Sequence, residues 1–436
     1  MTAEIAIMNK HAIALASDSA VTMSQGAGEK IKTSANKLFA LSKYHPVGIM
    51  IYGNANIMEV PWETIIKIYR AKLGRKKFGT LKEYSDNFIA FLDNGNPLFP
   101  DSQQENYVLT SIYAYFYFIK DEIEKEVESA ISKKNEITQD DVKQITSTII
   151  KKHYENWKNA DLIPSIPSSH IEDIINKYNK NIEDAIYEVF EKLPLYKSNL
   201  GRLKELAGTL FSKSYIIPDD FSGVVIAGFG EIDIFPSLRR YSIEGVANNI
   251  LKYTEIPPVE IGFGTHASII PFAQREMVDT FMVGVDPSYT ELEESYIAEI
   301  FSKYTEIITN NMNKYNNKEK LKLKKKLQIM SNEILKDHQE KLRIFRKETY
   351  TDPVTSVVSM LPKDELAAMA EALVNLTSFK RKVSMETETV GGPIDVAVIS
   401  KGDGFIWIKR KHYFKPELNP GFFTNYYKEE IEDGEK

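Results

Sequence analysis

Short apolar runs and amphipathic stretches alternate along this chain. Residues 2–60 contain apolar runs in two pairs, and each pair is separated by a few polar or turn residues, which is typical of β-hairpins. Residues 59–73 then carry apolar side chains at helical spacing. The N-terminal part is therefore predicted to consist of strands followed by a helix.

Further along, the pattern changes twice between helical and strand character. Residues 80–215 and 287–350 have helical periodicity and are rich in Lys and Glu. The other predicted elements are strands at 223–230, 237–243 and 259–263, helices at 268–281 and 361–379, and strands at 394–399 and 405–408.

Strands at both ends of the chain and in its middle, separated by helical blocks, predict an α+β fold with sheets inside and helices outside. The predicted core consists of residues 1–79, 216–286 and 351–436. A large helical insertion is predicted at 80–215 and a smaller one at 287–350.

The composition excludes several classes of site. The 436 residues are 43% hydrophobic and 27% charged, which is typical of a globular protein. The chain has no cysteine, which excludes disulfides, thiolate metal sites and a cysteine nucleophile. The net charge of −6 predicts neither a nucleic-acid nor a membrane partner. With no signal-like N-terminus and no long apolar stretch, cytoplasmic residence is expected. The seven histidines show no metal-ligand spacing, so we expect neither a metal nor a cofactor.

Thr2 is a candidate nucleophile. It opens the first strand-like stretch, and we expect removal of Met1 to give it a free α-amino group. An α-amine has a pKa of about 7.7–8.0, so its neutral form can take the proton of the neighbouring hydroxyl. A threonine at this position is also common in proteins without such a role.

Three further residues fit this chemistry. Asp18 ends an apolar run and needs a cationic or amide partner if it is buried, and Lys37, before a later strand, can pair with it. Gly53 follows another strand, where its N–H can approach a substrate oxyanion. Each has an ordinary alternative: a turn aspartate, a solvated lysine and a turn glycine.

These residues resemble the N-terminal part of proteasome β-type subunits and their bacterial relatives, the Ntn hydrolases with an N-terminal threonine. Thr2 matches the nucleophile, and the sequence Ala-Ser-Asp-Ser-Ala-Val-Thr at 16–22 matches the acidic motif. Lys37 and Gly53 match the lysine and glycine of the family. The segment 391–404 is similar to the C-terminal strand pair, with its Gly-Gly-x-Ile-Asp-Val-Ala-Val-Ile pattern.

The resemblance implies a four-layer αββα sandwich that carries the two helical insertions. It also implies roles for individual residues. Thr2 attacks the carbonyl, Asp18 holds Lys37, Lys37 tunes the Thr2 amine, and the Gly53 N–H stabilises the oxyanion. The substrate is expected to be lined by Ala20, Thr22 and Tyr52.

Two supporting residues of the family are not matched. The family has an aspartate and a serine just before the C-terminal glycine pair, and this chain has Thr387 and Val390 there. The family's supporting hydroxyl in its Gly-Ser element is expected from Thr265, with Ser268 as the other candidate. Open alternatives near the C-terminal pair are Glu386, Glu388 and Thr389.

The first functional hypothesis is a threonine-type peptidase that cleaves amide bonds through an acyl ester on Thr2. One alternative is a catalytically silent scaffold or regulatory module that binds a partner through its helical insertions. Another is a small-molecule amidase. The resemblance implies a peptide or protein substrate and a homo-oligomer, since relatives form rings.

Overall fold

The chain is a mixed α+β protein with antiparallel sheets, which confirms the predicted α+β class. Among the residues described, no helix is both long and apolar enough to cross a membrane. The computed structural model describes residues 2–25, 28–93, 97–134, 136–214, 221–384 and 390–424, with the backbone alone at 22–25, 28, 29 and 134.

Two compact units make up the chain. Their division differs from the predicted one, because residues 39–79, predicted to share a core with residues 1–38, group with the large helical block. The first unit comprises Met1–Leu38, Ile234–Ser237 and Val259–Lys436, and the second comprises Phe39–Asp233 and Leu238–Pro258.

The strands lie near both ends of the chain and between its helical blocks. They are β1 (Ala3–Asn9), β2 (Ile13–Ser17), β3 (Val21–Gln25), β4 (Gly28–Lys32), β5 (Leu38–Ala40), β6 (Val47–Gly53), β7 (Asn56–Ile57), β8 (Val60–Pro61), β9 (Ser222–Gly228), β10 (Ser237–Ala247), β11 (Ile250–Glu260), β12 (Ala267–Ala273), β13 (Asp395–Ser400) and β14 (Gly404–Lys409).

The helices follow the predicted blocks closely. They are α1 (Trp62–Leu73), α2 (Leu81–Leu92), α3 (Asp101–Lys134), α4 (Gln139–Asn159), α5 (His170–Lys177), α6 (Asn179–Phe190), α7 (Lys197–Thr209), α8 (Glu276–Val283), α9 (Pro287–Asn311), α10 (Asn317–Arg346), α11 (Asp352–Val358) and α12 (Lys363–Val383), with a π-helical turn at Lys347–Thr351 and a 3-10 helix at Pro416–Leu418.

In the first unit, five strands form one sheet in the order β12-β1-β2-β13-β14. Strand β1 lies between β12 and β2, and its Ile5 lies opposite Ala16 of β2 and Pro271 of β12. Every residue of β1 and β2 is buried. Both strands are short and mostly apolar, and the polar exceptions are Glu4, Asn9 and Ser17.

Helix α12 covers one face of this sheet. Its buried residues recur at helical spacing, so they form one apolar stripe. Acidic residues in its first turn and basic residues in its last turn suit the helix dipole. The packed side chains are Ile5, Ile7, Ala14, Ala16, Val396 and Val398 from the sheet and Leu366, Ala370, Leu373 and Val374 from α12.

The smaller helical block of the first unit is a hairpin of α9 and α10, as the periodicity predicts. Asp286 caps α9, and Pro287 occupies its first position. Asn316 and Glu319 form a capping box at the start of α10. These caps satisfy backbone N–H groups that lack partners within each helix.

In the second unit, five strands form a sheet in the order β11-β10-β9-β6-β5. Helices α1 and α2 pack on it, with Ile66 and Phe88 in the same buried cluster as Ile49 and Ile226. Helix α2 therefore belongs with the sheet, although its residues fall in the predicted insertion at 80–215.

Helices α3 to α7 have a separate apolar core, which includes Phe116, Ile150, Ile186 and Leu206. A buried polar chain lies beside it. The Trp157 indole N–H donates to the Tyr115 hydroxyl at 2.7 Å, that hydroxyl lies 2.9 Å from His153 Nδ1, and His153 Nε2 lies 2.9 Å from a Glu122 carboxylate oxygen. Burial lowers the pKa of His153, and the nearby Glu122 opposes that shift. This chain joins α3 to α4.

Two predicted elements are different in the structure. Residues 237–260 form a long hairpin, because Asn248 and Asn249 both adopt positive φ and make a tight turn. The predicted helix from Ser268 is wrong, since Ala267–Ala273 is strand β12 and a helix begins only at Glu276. Pro271 lies within this segment, and proline is tolerated in an edge strand but disrupts a helix interior.

Asn9 holds the turn between β1 and β2. Its side-chain oxygen accepts from the N–H groups of His11 at 2.9 Å and Ala12 at 3.3 Å. Its side-chain nitrogen donates to the carbonyls of Val358 at 3.0 Å and Leu361 at 2.9 Å. The predicted hairpin at residues 9–10 is confirmed, and the buried asparagine ties it to the segment before α12.

Replacing Asn9 with alanine is expected to destabilise the protein by about 2–4 kcal/mol, because two N–H groups and two carbonyls lose their partner. Urea denaturation measures the change. His11→Ala, at an exposed side chain in the same turn, is the control and is expected to have little effect. Equal unfolding midpoints for the two variants would contradict this role of Asn9.

Candidate active site

Thr2 immediately precedes β1 and is buried, with 4% of its surface exposed. Its carbonyl accepts a hydrogen bond of 3.1 Å from the Gln274 N–H. Its hydroxyl donates to Glu4 Oε1 at 3.2 Å. Residues i and i+2 of a strand project from the same face, which explains why these two side chains meet.

Asp18 follows β2 and receives four hydrogen bonds. Oδ1 accepts from Lys37 Nζ at 2.6 Å and from the Ala3 N–H at 3.2 Å. Oδ2 accepts from the N–H groups of Ala20 at 3.2 Å and Gly391 at 3.0 Å. The carboxylate is fully paired although its side chain has no exposed surface.

The pairing of Asp18 with Lys37 is confirmed. The two charged atoms are 2.6 Å apart, and the Lys37 side chain is only 6% exposed. The β1–β2 register pairs Glu4 with Ser17 and so brings Asp18 beside Ala3. Lys37 comes from the segment immediately before β5. Thr2, Asp18 and Lys37 therefore belong to one buried cluster.

Glu4 is a member of this cluster that the sequence analysis missed. Burial raises its pKa to about 8, the Lys37 ammonium opposes that shift, and the Asp18 carboxylate adds to it. Ser17 Oγ lies 3.5 Å from Glu4 Oε1. Among the residues that the structure describes, the buried Oε2 has no hydrogen-bond partner. The available signal was a carboxylate in the otherwise apolar strand 3–8.

The segment 390–395 reaches the same cluster through its backbone. Gly391 donates its N–H to Asp18 and accepts from the Ser19 N–H at 3.1 Å. Gly392 has φ +80°, and a Cβ there would lie 2.8 Å from Thr33 Cβ. Gly392 therefore permits close packing against Thr33, and Gly391 binds Asp18 and Ser19 through its backbone.

Val390 lies in the apolar cluster under α12 and is fully buried. Its side chain offers no hydroxyl at the position where the family has one. The other residues considered for supporting roles in this stretch, Glu386, Thr387, Glu388 and Thr389, lie outside the described residues.

Thr265 does not reach Thr2, so its predicted supporting role is wrong. Strands β12 and β1 are antiparallel, with Ala273 opposite Ala3 and Ala267 opposite Asn9. Thr265 precedes Ala267 and is exposed at the far end of the sheet, roughly 20 Å along the strand from Thr2. Ser268 pairs with Met8 near the same far end.

The predicted substrate-lining and oxyanion residues have separate placements. Ala20 is buried and contacts Asp18 through its N–H. Thr22 lies in β3 opposite Ile31 of β4, and only the backbone of Thr22 is described. Tyr52 and Gly53 end β6 in the second unit. Gly53 has φ +78°, and a Cβ there would lie 2.6 Å from the Phe221 carbonyl oxygen, so glycine is required for the backbone itself.

Cavities in the helical parts are separate from this cluster. One of about 490 Å³ lies in the first unit and is lined by residues including Glu293, Leu335 and Arg346. Another of about 490 Å³ lies in the second unit beside Glu122 and Ile149. Across the described ranges, no group of three or more His, Asp or Glu side chains is placed to hold a metal ion.

Sequence comparison finds no matching family model and no matching curated protein.

Substituting Glu4 with glutamine is expected to change how stability depends on pH. A carboxyl with a pKa raised from 4.5 to about 8 stabilises the fold fully below 4.5, and that contribution is lost as the pH rises through 8. The loss is on the order of several kcal/mol. Glu4→Gln removes this titration, so its melting temperature relative to the wild type should be higher at pH 8.5 than at pH 5.

Glu299→Gln, at an exposed carboxylate of α9, is the matched control and should shift the melting temperature equally at both pH values. Parallel curves for Glu4→Gln and the wild type would show that Glu4 titrates normally.

Asp18→Asn is expected to cost about 3–5 kcal/mol, because it leaves the buried Lys37 ammonium without its charged partner. Adding Lys37→Met to that variant should recover part of the loss, since it removes the unpaired charge. Chemical denaturation of the single and double variants measures both effects. If Lys37→Met destabilises the Asp18→Asn variant as much as it destabilises the wild type, the two residues are not coupled.

Proposed function

We propose that this protein is an N-terminal-threonine hydrolase of the Ntn type, active once the chain is cleaved before Thr2. The observation that carries this proposal is the buried cluster around Glu4, whose carboxylate accepts from the Thr2 hydroxyl and lies near the paired Lys37 ammonium and Asp18 carboxylate. We also propose that the two sheets and their helices form the four-layer αββα sandwich of that class.

The proposed reaction begins at the neutral α-amine of Thr2, which takes the proton of the Thr2 hydroxyl. The Oγ forms a bond to the substrate carbonyl carbon, and the Gly53 N–H stabilises the resulting oxyanion. The C–N bond breaks, and the α-ammonium returns its proton to the leaving nitrogen. Water then hydrolyses the ester on Thr2. Lys37 favours the neutral amine by its positive charge, and Asp18 holds Lys37 in place.

The proposed substrate is the amide bond of a peptide or protein. We propose that the enzyme itself is a cytoplasmic homo-oligomer. This choice of substrate follows from the resemblance to the proteasome branch and is an analogy at the level of the fold family. A small-molecule amidase uses the same cluster, and a panel of peptides and acyl amides separates the two activities.

A silent scaffold is the second candidate, and two observations favour it. Thr2 is only 4% exposed, and Val390 offers no hydroxyl beside the cluster. The helices also carry apolar surface that suits a partner. Exposed residues recur along one side of α9 at helical spacing: Tyr289, Leu292, Tyr296, Ile300, Tyr304 and Ile307.

Thr2→Ala is expected to abolish covalent modification by a peptide epoxyketone and to lower peptide hydrolysis by on the order of 10⁴-fold or more, because the attacking oxygen is lost. Intact-mass measurement follows the adduct, and N-terminal sequencing tests whether the mature chain begins at Thr2. Thr2→Ser keeps a hydroxyl and should still form the adduct.

Thr265→Ala is the matched control, since it removes an exposed threonine hydroxyl at the far end of the sheet. It should react like the wild type. A wild-type protein that retains residues before Thr2 and forms no adduct would favour the scaffold.

A further inference from the structure

We propose that the Glu4 carboxylate, in place of the Thr2 amine, accepts the proton of the Thr2 hydroxyl during attack, so that the nucleophile is activated by a side-chain base. This inference rests on the proposed hydrolase function and assigns it a further catalytic residue. The two side chains already make the contact that the proton transfer requires, because Thr2 Oγ donates to Glu4 Oε1 at 3.2 Å.

The contact is built into the strand. Thr2 and Glu4 are two residues apart at the start of β1, so both side chains project from the same face. Glu4 is 2% exposed, and the hairpin partner Ser17 lies opposite it in β2. The carboxylate is therefore held beside the hydroxyl by a paired strand rather than by a loop.

The two carboxylates of the cluster differ in how fully their oxygens are hydrogen-bonded. Asp18 accepts one hydrogen bond from the Lys37 ammonium and three from backbone N–H groups, two at each oxygen. Glu4 has the Thr2 and Ser17 hydroxyls near Oε1, and Oε2 has no partner in the described part of the chain. Of the two, Glu4 is therefore the carboxylate with an oxygen left to accept the Thr2 proton.

The two charges near Glu4 shift its pKa in opposite directions. The Lys37 ammonium favours the carboxylate, and the Asp18 carboxylate disfavours it. Burial exceeds both effects and raises the pKa of Glu4 to about 8. A base is most effective when its pKa lies near the working pH, so burial makes this carboxyl better suited to general-base catalysis near neutral pH than an exposed glutamate.

The proposed steps balance. The Oγ–H bond of Thr2 breaks and its proton goes to Glu4, while Oγ bonds to the carbonyl carbon and the carbonyl π pair moves to oxygen. The oxyanion collapses, the C–N bond breaks, and the Glu4 carboxylic acid gives its proton to the leaving nitrogen. In deacylation Glu4 takes a proton from water, and Thr2 Oγ receives that proton when the ester bond breaks.

The test is the rate at which a peptide epoxyketone modifies Thr2 between pH 6 and 10, followed by intact mass. Glu4→Gln keeps the shape of the side chain and removes its basicity. At about pH 9.5 the Thr2 amine is neutral in both proteins. There we expect Glu4→Gln to react more slowly than the wild type by on the order of 10²–10⁴-fold. Thr265→Ala should match the wild type throughout.

Ser17→Ala provides a second, independent measurement. The Ser17 hydroxyl lowers the pKa of Glu4, so its removal should move the rise in rate to higher pH while the carboxylate stays in place. If Glu4→Gln does not fold, an unshifted profile in Ser17→Ala overturns the inference.

The outcomes separate this inference from the proposed function. A wild type that reacts, together with a folded Glu4→Gln variant that reacts equally fast at pH 9.5, overturns the role of Glu4 and leaves the threonine hydrolase standing. A wild type that reacts no faster than Thr2→Ala at any pH overturns both.

Discussion

The hydrogen bonds to Asp18 organise the start of the first sheet. One carboxylate joins the N–H of Ala3, the N–H of Ala20, the N–H of Gly391 and the ammonium of Lys37. The contact with Gly391 spans 373 residues of sequence. Burying a carboxylate is costly unless such donors surround it, so the site and the local fold depend on the same interaction.

Glu4 is buried with fewer hydrogen-bond donors than Asp18. Asp18 is buried with four donors, whereas Glu4 is buried with two hydroxyls near one oxygen and a pKa raised to about 8. A buried carboxyl with few hydrogen-bond donors lowers the stability of an interior strand. Such residues are typical of functional positions. One carboxylate of the cluster anchors Lys37, and the other is the base that we propose for Thr2.

The helical additions have their own sources of stability. In the second unit α3 to α7 enclose an apolar core and a buried polar chain from Trp157 to Glu122. In the first unit the α9–α10 hairpin is capped by Asp286 and Asn316 but leaves large apolar side chains exposed. The first arrangement explains how a long insertion folds, and the second supplies the surface that the scaffold hypothesis needs.

Much of the architecture follows from sequence pattern alone. The two N-terminal hairpins, the helical blocks, helix α12 and the C-terminal strand pair all agree with local periodicity, because each has an apolar face of the right period. The Asp18–Lys37 pair was also predictable, since a carboxylate that ends a buried strand needs a cation. The predicted helix at 268–281 is wrong over Ala267–Ala273, because Pro271 disfavours a helix interior and is tolerated in an edge strand.

Only the tertiary structure decided which distant residues share one place. The antiparallel register of β12 against β1 puts Thr265 at the end of the sheet far from Thr2, and this register cannot be read from local sequence. Packing likewise assigned α2 to the second sheet and placed Gly391 beside Asp18. The sequence by itself determined the elements and the kind of chemistry, because these depend on local spacing and residue type. The basicity of Glu4 depends on burial and on neighbours from other segments, and those exist only once the chain has folded.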